Sequence, residues 1–154
     1  MSVYLLALLI GIVAGLRTMT APTAVAWWIY FARPHLTPLW LGYLGNIWAC
    51  CVLTVLAIVE LIVDQLPSTP PRTVPVQFGS RILTGALSGA AIGASQGSWV
   101  GGLLAGIVGA VAGTFGGRAF RGKLAATFGR DKPAAFIEDA VAIVGALLIV
   151  VAIR

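Results

Sequence analysis

The sequence predicts an all-α, polytopic membrane protein with five to six transmembrane segments. Of its 154 residues, 59% are hydrophobic and only 10% are charged, whereas about a quarter of the residues in a soluble domain are charged. A soluble fold of this size could not bury so much apolar surface, so the solvent must be largely lipid. The helices and their loops use up the chain, and we therefore predict a single transmembrane domain over residues 1–154.

Five apolar segments mark the predicted helices. They cover residues 3–31, 38–63, 81–97, 99–117 and 134–153. Each is long enough, or nearly so, for a helix that crosses a bilayer, which takes about 20 residues. The first segment should kink or break between Arg17 and Pro22, because proline lacks an N–H and clashes with the carbonyl of Thr18. It is therefore either one long kinked helix or two shorter helices.

A connector at residues 67–75 divides the chain, because four of its nine residues are prolines and proline cannot continue a helix. With five passes, seven basic residues lie on the same side as this connector and the loop 118–132. Only Arg33 and Arg154 lie on the other side. The positive-inside rule therefore predicts that the connector and the loop are cytoplasmic and that the C-terminus is outside.

Glycines recur at short intervals in the third and fourth apolar segments. They are Gly85, Gly89, Gly93 and Gly97, followed by Gly102, Gly106, Gly109, Gly113 and Gly117. Such flat stripes predict tightly packed helices, either within one chain or between two chains. Because about 150 residues give few helices to enclose a pathway, we expect a homo-oligomer, with a dimer favoured.

The candidate functional residues are the acids inside apolar segments, because ionisable groups are costly in a membrane. They are Glu60, Asp64, Glu138 and Asp139. Glu60 and Asp64 lie four residues apart on one helical face, which makes them a candidate proton-sharing pair. Alternatively, both lie at the cytoplasmic interface, held by Arg72, Arg81 or water. Glu60 is one turn deeper than Asp64 and is the better candidate; Asn46, on the same face, is a secondary one.

The second acidic pair, Glu138 and Asp139, begins the last predicted helix, where acids act as favourable caps. Only 14 residues follow from Ala140 to Ile153, about 21 Å of helix, so spanning the bilayer draws the acids inward. They then need a cationic partner, and the candidates are Arg17, Arg81 and Arg118. We therefore expect an Arg–carboxylate cluster in the cytoplasmic half of the bundle, or, alternatively, a purely structural salt-bridge network.

Two basic regions predict contacts with lipid. Arg17 lies among threonines at the expected helix break, which is typical of an anion or headgroup site and equally of a simple polar turn. Residues 118–129 predict a short interfacial helix that contacts anionic lipids. Membrane lipids are thus the expected partners. Nucleic acid is not expected, because the basic residues flank apolar segments.

Enzyme signals are weak. The single His35 lies in a short loop, and no Ser-His-Asp, Walker or metal-ligand pattern appears. Cys50 and Cys51 are adjacent in an apolar run, as expected of packing residues. We therefore expect no enzyme activity, no metal and no cofactor.

Four stretches, GIVAGLRTMTAPTAVAW, ELIVDQLPSTPPRTVPVQFGSR, GALSGAAIG and AFIEDAVAI, resemble a bacterial family of small integral membrane proteins catalogued as a domain of unknown function. The resemblance covers nearly the whole chain, and residues 60–81 are its most specific part. It implies a multi-pass protein of the bacterial inner membrane and supplies no activity. The motif residues that carry over, without assigned roles, are Arg17, Glu60, Asp64, Pro67, Arg72 and Arg81.

These observations lead to one main hypothesis about function. We expect a small transporter or channel in which Glu60 and Asp64 bind a proton or cation while Arg17 and Arg81 balance their charge. The main alternative is a non-transporting structural or assembly protein. A membrane enzyme that acts on lipid headgroups is a third hypothesis, for which the sequence offers no recognisable nucleophile.

Overall fold

A computed structural model describes residues 2–32, 39–65 and 74–153. The described elements are α1 (Val3–Leu16), α2 (Thr20–Ala32), a 3-10 helix (Leu39–Gly45), α3 (Ile47–Val63), α4 (Pro75–Ala94), α5 (Trp99–Phe128) and α6 (Asp131–Ala152). They confirm the predicted all-helical class. Two of these helices, α5 and α6, are long and apolar enough to cross a bilayer, and the 3-10 helix with α3, bent by 62°, makes a third candidate. The structure thus supports a membrane protein with fewer clear spans than the five or six predicted.

The first apolar segment forms two helices. α1 ends at Leu16 and α2 begins at Thr20, so the break covers residues 17–19. Pro22 is the third residue of α2, where its missing N–H would have had no partner within the helix. The proline therefore lies in the first turn of α2 and does not kink one long helix.

α1 and α2 run in opposite directions. Arg17 contacts Asp139 and Val13 lies beside Gly145, so α6 is antiparallel to α1. α2 then shares a groove with α3 and α6 along most of its length. The groove is lined by α2 residues between Thr20 and Phe31, α3 residues between Thr54 and Leu61, and α6 residues between Ile143 and Val151. α2 therefore returns toward the level at which α1 begins, and the break lies at the opposite end of the helices.

Two predicted boundaries are wrong by several residues. α4 begins at Pro75, within the predicted connector, because proline is favourable at the first helical position. α5 continues through the predicted short interfacial helix to Phe128, and α6 begins at Asp131. Arginine and lysine, which end the apolar run, are good helix formers. The sequence therefore becomes polar at Arg118 while the helix continues. Gly129, with φ 65°, ends α5 in the left-handed conformation.

The glycines bring α1, α4 and α5 into backbone contact. A Cβ added at Gly89 would lie 2.9 Å from Gly106 Cα, and one at Gly15 would lie 2.5 Å from the Thr114 nitrogen. These stripes therefore pack within one chain, and the dimer stays a prediction. Gly97 does not belong to a stripe, because it lies in the turn after α4 with φ 74°.

Candidate functional site

Arg81 holds the end of α1. Its Nη1 donates hydrogen bonds to the carbonyl oxygens of Gly15, at 2.7 Å, and Leu16, at 2.9 Å. The last carbonyls of a helix lack partners within that helix and carry partial negative charge. A guanidinium that is only 1% exposed therefore satisfies them at the break.

Glu60 holds the start of α2 in the complementary way. Its Oε1 accepts a hydrogen bond from the Thr18 N–H at 2.7 Å, and its Oε2 accepts one from the Met19 N–H at 2.8 Å. A carboxylate is the favourable partner for the positive end of a helix. A buried non-helical backbone needs such partners, because its N–H groups have none within a helix.

Arg17 lies in the break itself and is completely buried. Its Nε donates to Asp139 and its Nη1 donates to Asp64, while its Nη2 is 3.8 Å from Glu138 Oε2. The planar guanidinium presents several donors in a fixed geometry, which suits contacts with more than one carboxylate. One side chain thereby joins the break to α3 and α6.

The structure adds two residues to the candidates. Arg121 pairs with Asp131, and its Nη1 is 3.7 Å from Glu138 Oε2. Gln65 Nε2 donates to Asp139 Oδ2 at 3.0 Å. A signal for Arg121 was present, because it follows Gly117 by four residues and so continues a buried stripe; nothing in the sequence distinguishes Gln65. We call Arg17, Glu60, Asp64, Arg81, Arg121, Glu138 and Asp139 the charged cluster.

The length of α1 sets the distance of the charged cluster from the opposite end of the helices. α1 has 14 residues before the break, and at about 1.5 Å per residue it is about 21 Å long. The opposite end is marked by the Tyr4 hydroxyl, 2.9 Å from Ser98 Oγ in the turn between α4 and α5. The charged cluster thus lies about 21 Å from that end, a shorter distance than the roughly 30 Å of a hydrocarbon core.

A cavity of about 260 Å³ between α3 and α4, lined by both apolar and polar residues, reaches the charged cluster. Its polar lining comes from Thr18, Glu60, Asp64, Gln77 and Ser80. The Asp64 side chain is 13% exposed, whereas those of Arg17 and Glu138 are completely buried. Asp64 therefore lies between this cavity and Arg17.

The structure changes the interpretation of both acidic pairs. Glu60 accepts backbone N–H groups at the start of α2 whereas Asp64 binds Arg17, so the two acids have different partners and proton sharing between them stays a prediction. Glu138 and Asp139 do not cap α6, because that helix begins at Asp131 and places them two turns further in.

Two predicted candidates lie away from the charged cluster, and one cannot be placed. Arg118 is exposed on α5. The Asn46 side chain accepts a hydrogen bond from the Trp48 N–H at 3.0 Å and caps the far end of α3. Arg72, like Pro67 and His35, lies outside the described residues.

Within residues 2–32, 39–65 and 74–153, no group of three or more His, Cys, Asp or Glu side chains is arranged to hold a metal ion. No family model, curated protein or solved structure matches this chain. The resemblance to the bacterial family of small integral membrane proteins therefore stays a prediction. Any function must be argued from the site.

Proposed function

We propose that this chain is a small multi-pass transporter or channel of the bacterial inner membrane, linked to protons or cations. One observation carries the proposal: the buried Arg17 binds Asp139 of α6 and Asp64 at the end of α3, and Asp64 borders a cavity. Ionisable groups inside a membrane are expensive, and in membrane proteins they mark ion and proton pathways.

The geometry favours Asp64 over Glu60 as the acid that binds a proton or cation. Both oxygens of Glu60 already accept backbone N–H groups, so binding a proton there would weaken the cap of α2. Asp64 binds Arg17 through Oδ2 and keeps part of its side chain exposed. We therefore assign the exchange of a proton or cation to Asp64 and the fixing of α2 to Glu60.

The number of carboxylates around Arg17 supports uptake of a cation or proton. Asp64, Glu138 and Asp139 all contact this one guanidinium, the longest contact being 3.8 Å. Carboxylates held close together repel one another, so a proton or monovalent cation at Asp64 would reduce that repulsion.

We propose six membrane passes, with the charged cluster toward the cytoplasm. α1 and α2 have 14 and 13 residues, so each is shorter than the roughly 20 residues of a full span. Their break is nevertheless buried and capped, which is how a membrane protein tolerates irregular backbone at depth. The connector and residues 118–132 are then cytoplasmic, and the C-terminus is outside.

A structural role is the second candidate, and the caps favour it. Glu60 and Arg81 satisfy both ends of the helix break without any change in protonation. On this account, the charged cluster only fixes four helices around the turn, and no ion moves.

Proton flux into proteoliposomes separates the two roles. With an internal pH-sensitive dye and an imposed voltage, we expect wild type to conduct above empty liposomes and Asp64→Asn to fall to their level, because the amide cannot release a proton. Asn46→Ala is the control, since it removes a polar side chain at the far end of α3, away from the charged cluster, and it should conduct like wild type.

The same vesicles, loaded with sodium- or potassium-sensitive dyes, test the cation form of the proposal. Flux of a metal cation that is lost in Asp64→Asn would support it. Wild-type flux equal to that of empty liposomes for protons, sodium and potassium would contradict transport and leave the structural role.

A further inference from the structure

The turn between α5 and α6 carries a concentrated positive charge. Residues 118–132 contain five basic residues and one acidic residue, a net charge of +4. Arg121 turns inward and pairs with Asp131, which leaves four basic residues exposed on the outer surface. They are Arg118, Lys123, Arg130 and Lys132. We call these four residues the basic turn.

Aromatic rings accompany these charges. Phe120 is 42% exposed and Phe128 is 50% exposed, both in the last part of α5. Basic side chains next to exposed apolar rings are typical of helices at the interface between lipid and water. Such a surface matches a membrane better than a nucleic acid or an acidic soluble protein, because those partners would leave the rings in water.

The structure holds the basic turn in a fixed shape. α5 continues to Phe128, Gly129 reverses the chain with φ 65°, and α6 begins at Asp131. Arg121 Nε donates to Asp131 Oδ1 at 2.9 Å and so ties the two helices together. The exposed charges are therefore presented by ordered helix ends.

The depth of the basic turn matches that of lipid phosphates. α5 has 30 residues, so it is about 45 Å long, close to the 40–45 Å of a bilayer with its headgroups. If Trp99 lies at one boundary of the hydrocarbon core, Arg118 lies about 29 Å further along, at the other boundary. Lys123 then lies at about 36 Å, within the headgroup layer.

We propose that the basic turn is a binding surface for the headgroups of anionic phospholipids. Arg118 and Lys123 contact the phosphate groups from α5, while Arg130 and Lys132 contact them from the start of α6. Phe120, about 32 Å from Trp99, packs at the glycerol level. This inference rests on α5 as a membrane span and is independent of transport through the charged cluster.

Retention of lipid tests this surface. The protein is reconstituted into an equal mixture of phosphatidylglycerol and phosphatidylcholine and then extracted with detergent. The lipids that it retains are quantified by mass spectrometry. We expect phosphatidylglycerol to be enriched about fivefold or more, the effect of one basic contact near an anionic surface. Neutralising all four residues of the basic turn to glutamine should abolish the enrichment.

A charge-retaining variant, Arg118→Lys with Arg130→Lys, is the matched control and should keep the enrichment. Thermal unfolding shows whether each variant is folded; should the fourfold variant fail to fold, Arg118→Gln and Lys132→Gln are tested singly, and each should lower the enrichment. Equal retention of both lipids by wild type would overturn the proposal. So would enrichment that persists in the folded neutralised variants, because the lipid would then bind elsewhere.

Discussion

Replacing Arg17 by methionine is expected to be the most damaging single change in this protein. Methionine fills a similar volume but leaves Asp64, Glu138 and Asp139 without the guanidinium that joins them. Removing one partner of a buried ion pair costs about 3–5 kcal/mol, because the remaining charge is left uncompensated. We expect the variant to lose most of its folded yield in detergent, measured by size-exclusion chromatography and thermal unfolding.

Arg118→Met is the matched control, because the same substitution there removes an exposed arginine from α5. It should unfold within a few degrees of wild type. Arg17→Lys should be intermediate, since lysine keeps the charge but lacks the planar fork that reaches two helices at once. If Arg17→Met were as stable as Arg118→Met, Arg17 would not be holding the charged cluster together.

Glu60→Gln is expected to have the second-largest effect, through the start of α2. The amide keeps one acceptor and turns a donor toward one of the two backbone N–H groups that Glu60 now accepts. A buried donor left without a partner costs about 1–3 kcal/mol, and the favourable charge at the helix end is lost as well. Hydrogen exchange at Thr18 and Met19 should accelerate, and the unfolding temperature should fall.

Asn46→Ala provides the comparison for Glu60→Gln. It removes the cap of α3 at an exposed site, where a single side-chain oxygen accepts one N–H, and such caps contribute about 1 kcal/mol. The Glu60 carboxylate is charged and accepts two N–H groups, so it should contribute more to stability. A smaller loss of stability in Glu60→Gln than in Asn46→Ala would show that the break does not depend on Glu60.

Two features of the site could be predicted from sequence by local rules. Pro22 indicated a break after Arg17, since its missing N–H restricts where a helix can continue. The cost of burying charge indicated that Glu138 and Asp139 would need an arginine, and Arg17 supplies it. The first argument depends on residues that are close together in the sequence. The second depends only on the cost of burying a charge.

Which arginines face the charged cluster depends on the helical register, that is, on which side of its helix each arginine lies. The bounds of the apolar segments do not give this register. Arg81 precedes Gly85 by four residues and Arg121 follows Gly117 by four, so both continue faces that the glycines bury. Arg118 lies only one residue after Gly117, about 100° around the helix, and is exposed. The glycine spacing thus contained the information that separates Arg121 from Arg118.

The caps of the helix break could not be predicted, because they join distant parts of the chain. Glu60 meets Thr18 and Met19 only because α3 packs beside the turn between α1 and α2. The end of α5 was also missed, since hydropathy falls at Arg118 while helix propensity does not.

The most direct test of the central claim is an infrared measurement of protonation at Asp64. A protonated carboxylic acid has its own C=O stretching band, distinct from the bands of a carboxylate. Spectra of reconstituted wild type, recorded as the pH of the medium is changed, should contain such a band that appears and disappears reversibly. The part of this band that belongs to Asp64 should be missing from Asp64→Asn and present in Asp131→Asn. A band that is the same in Asp64→Asn and wild type, or no band that changes with pH, would contradict proton exchange at Asp64.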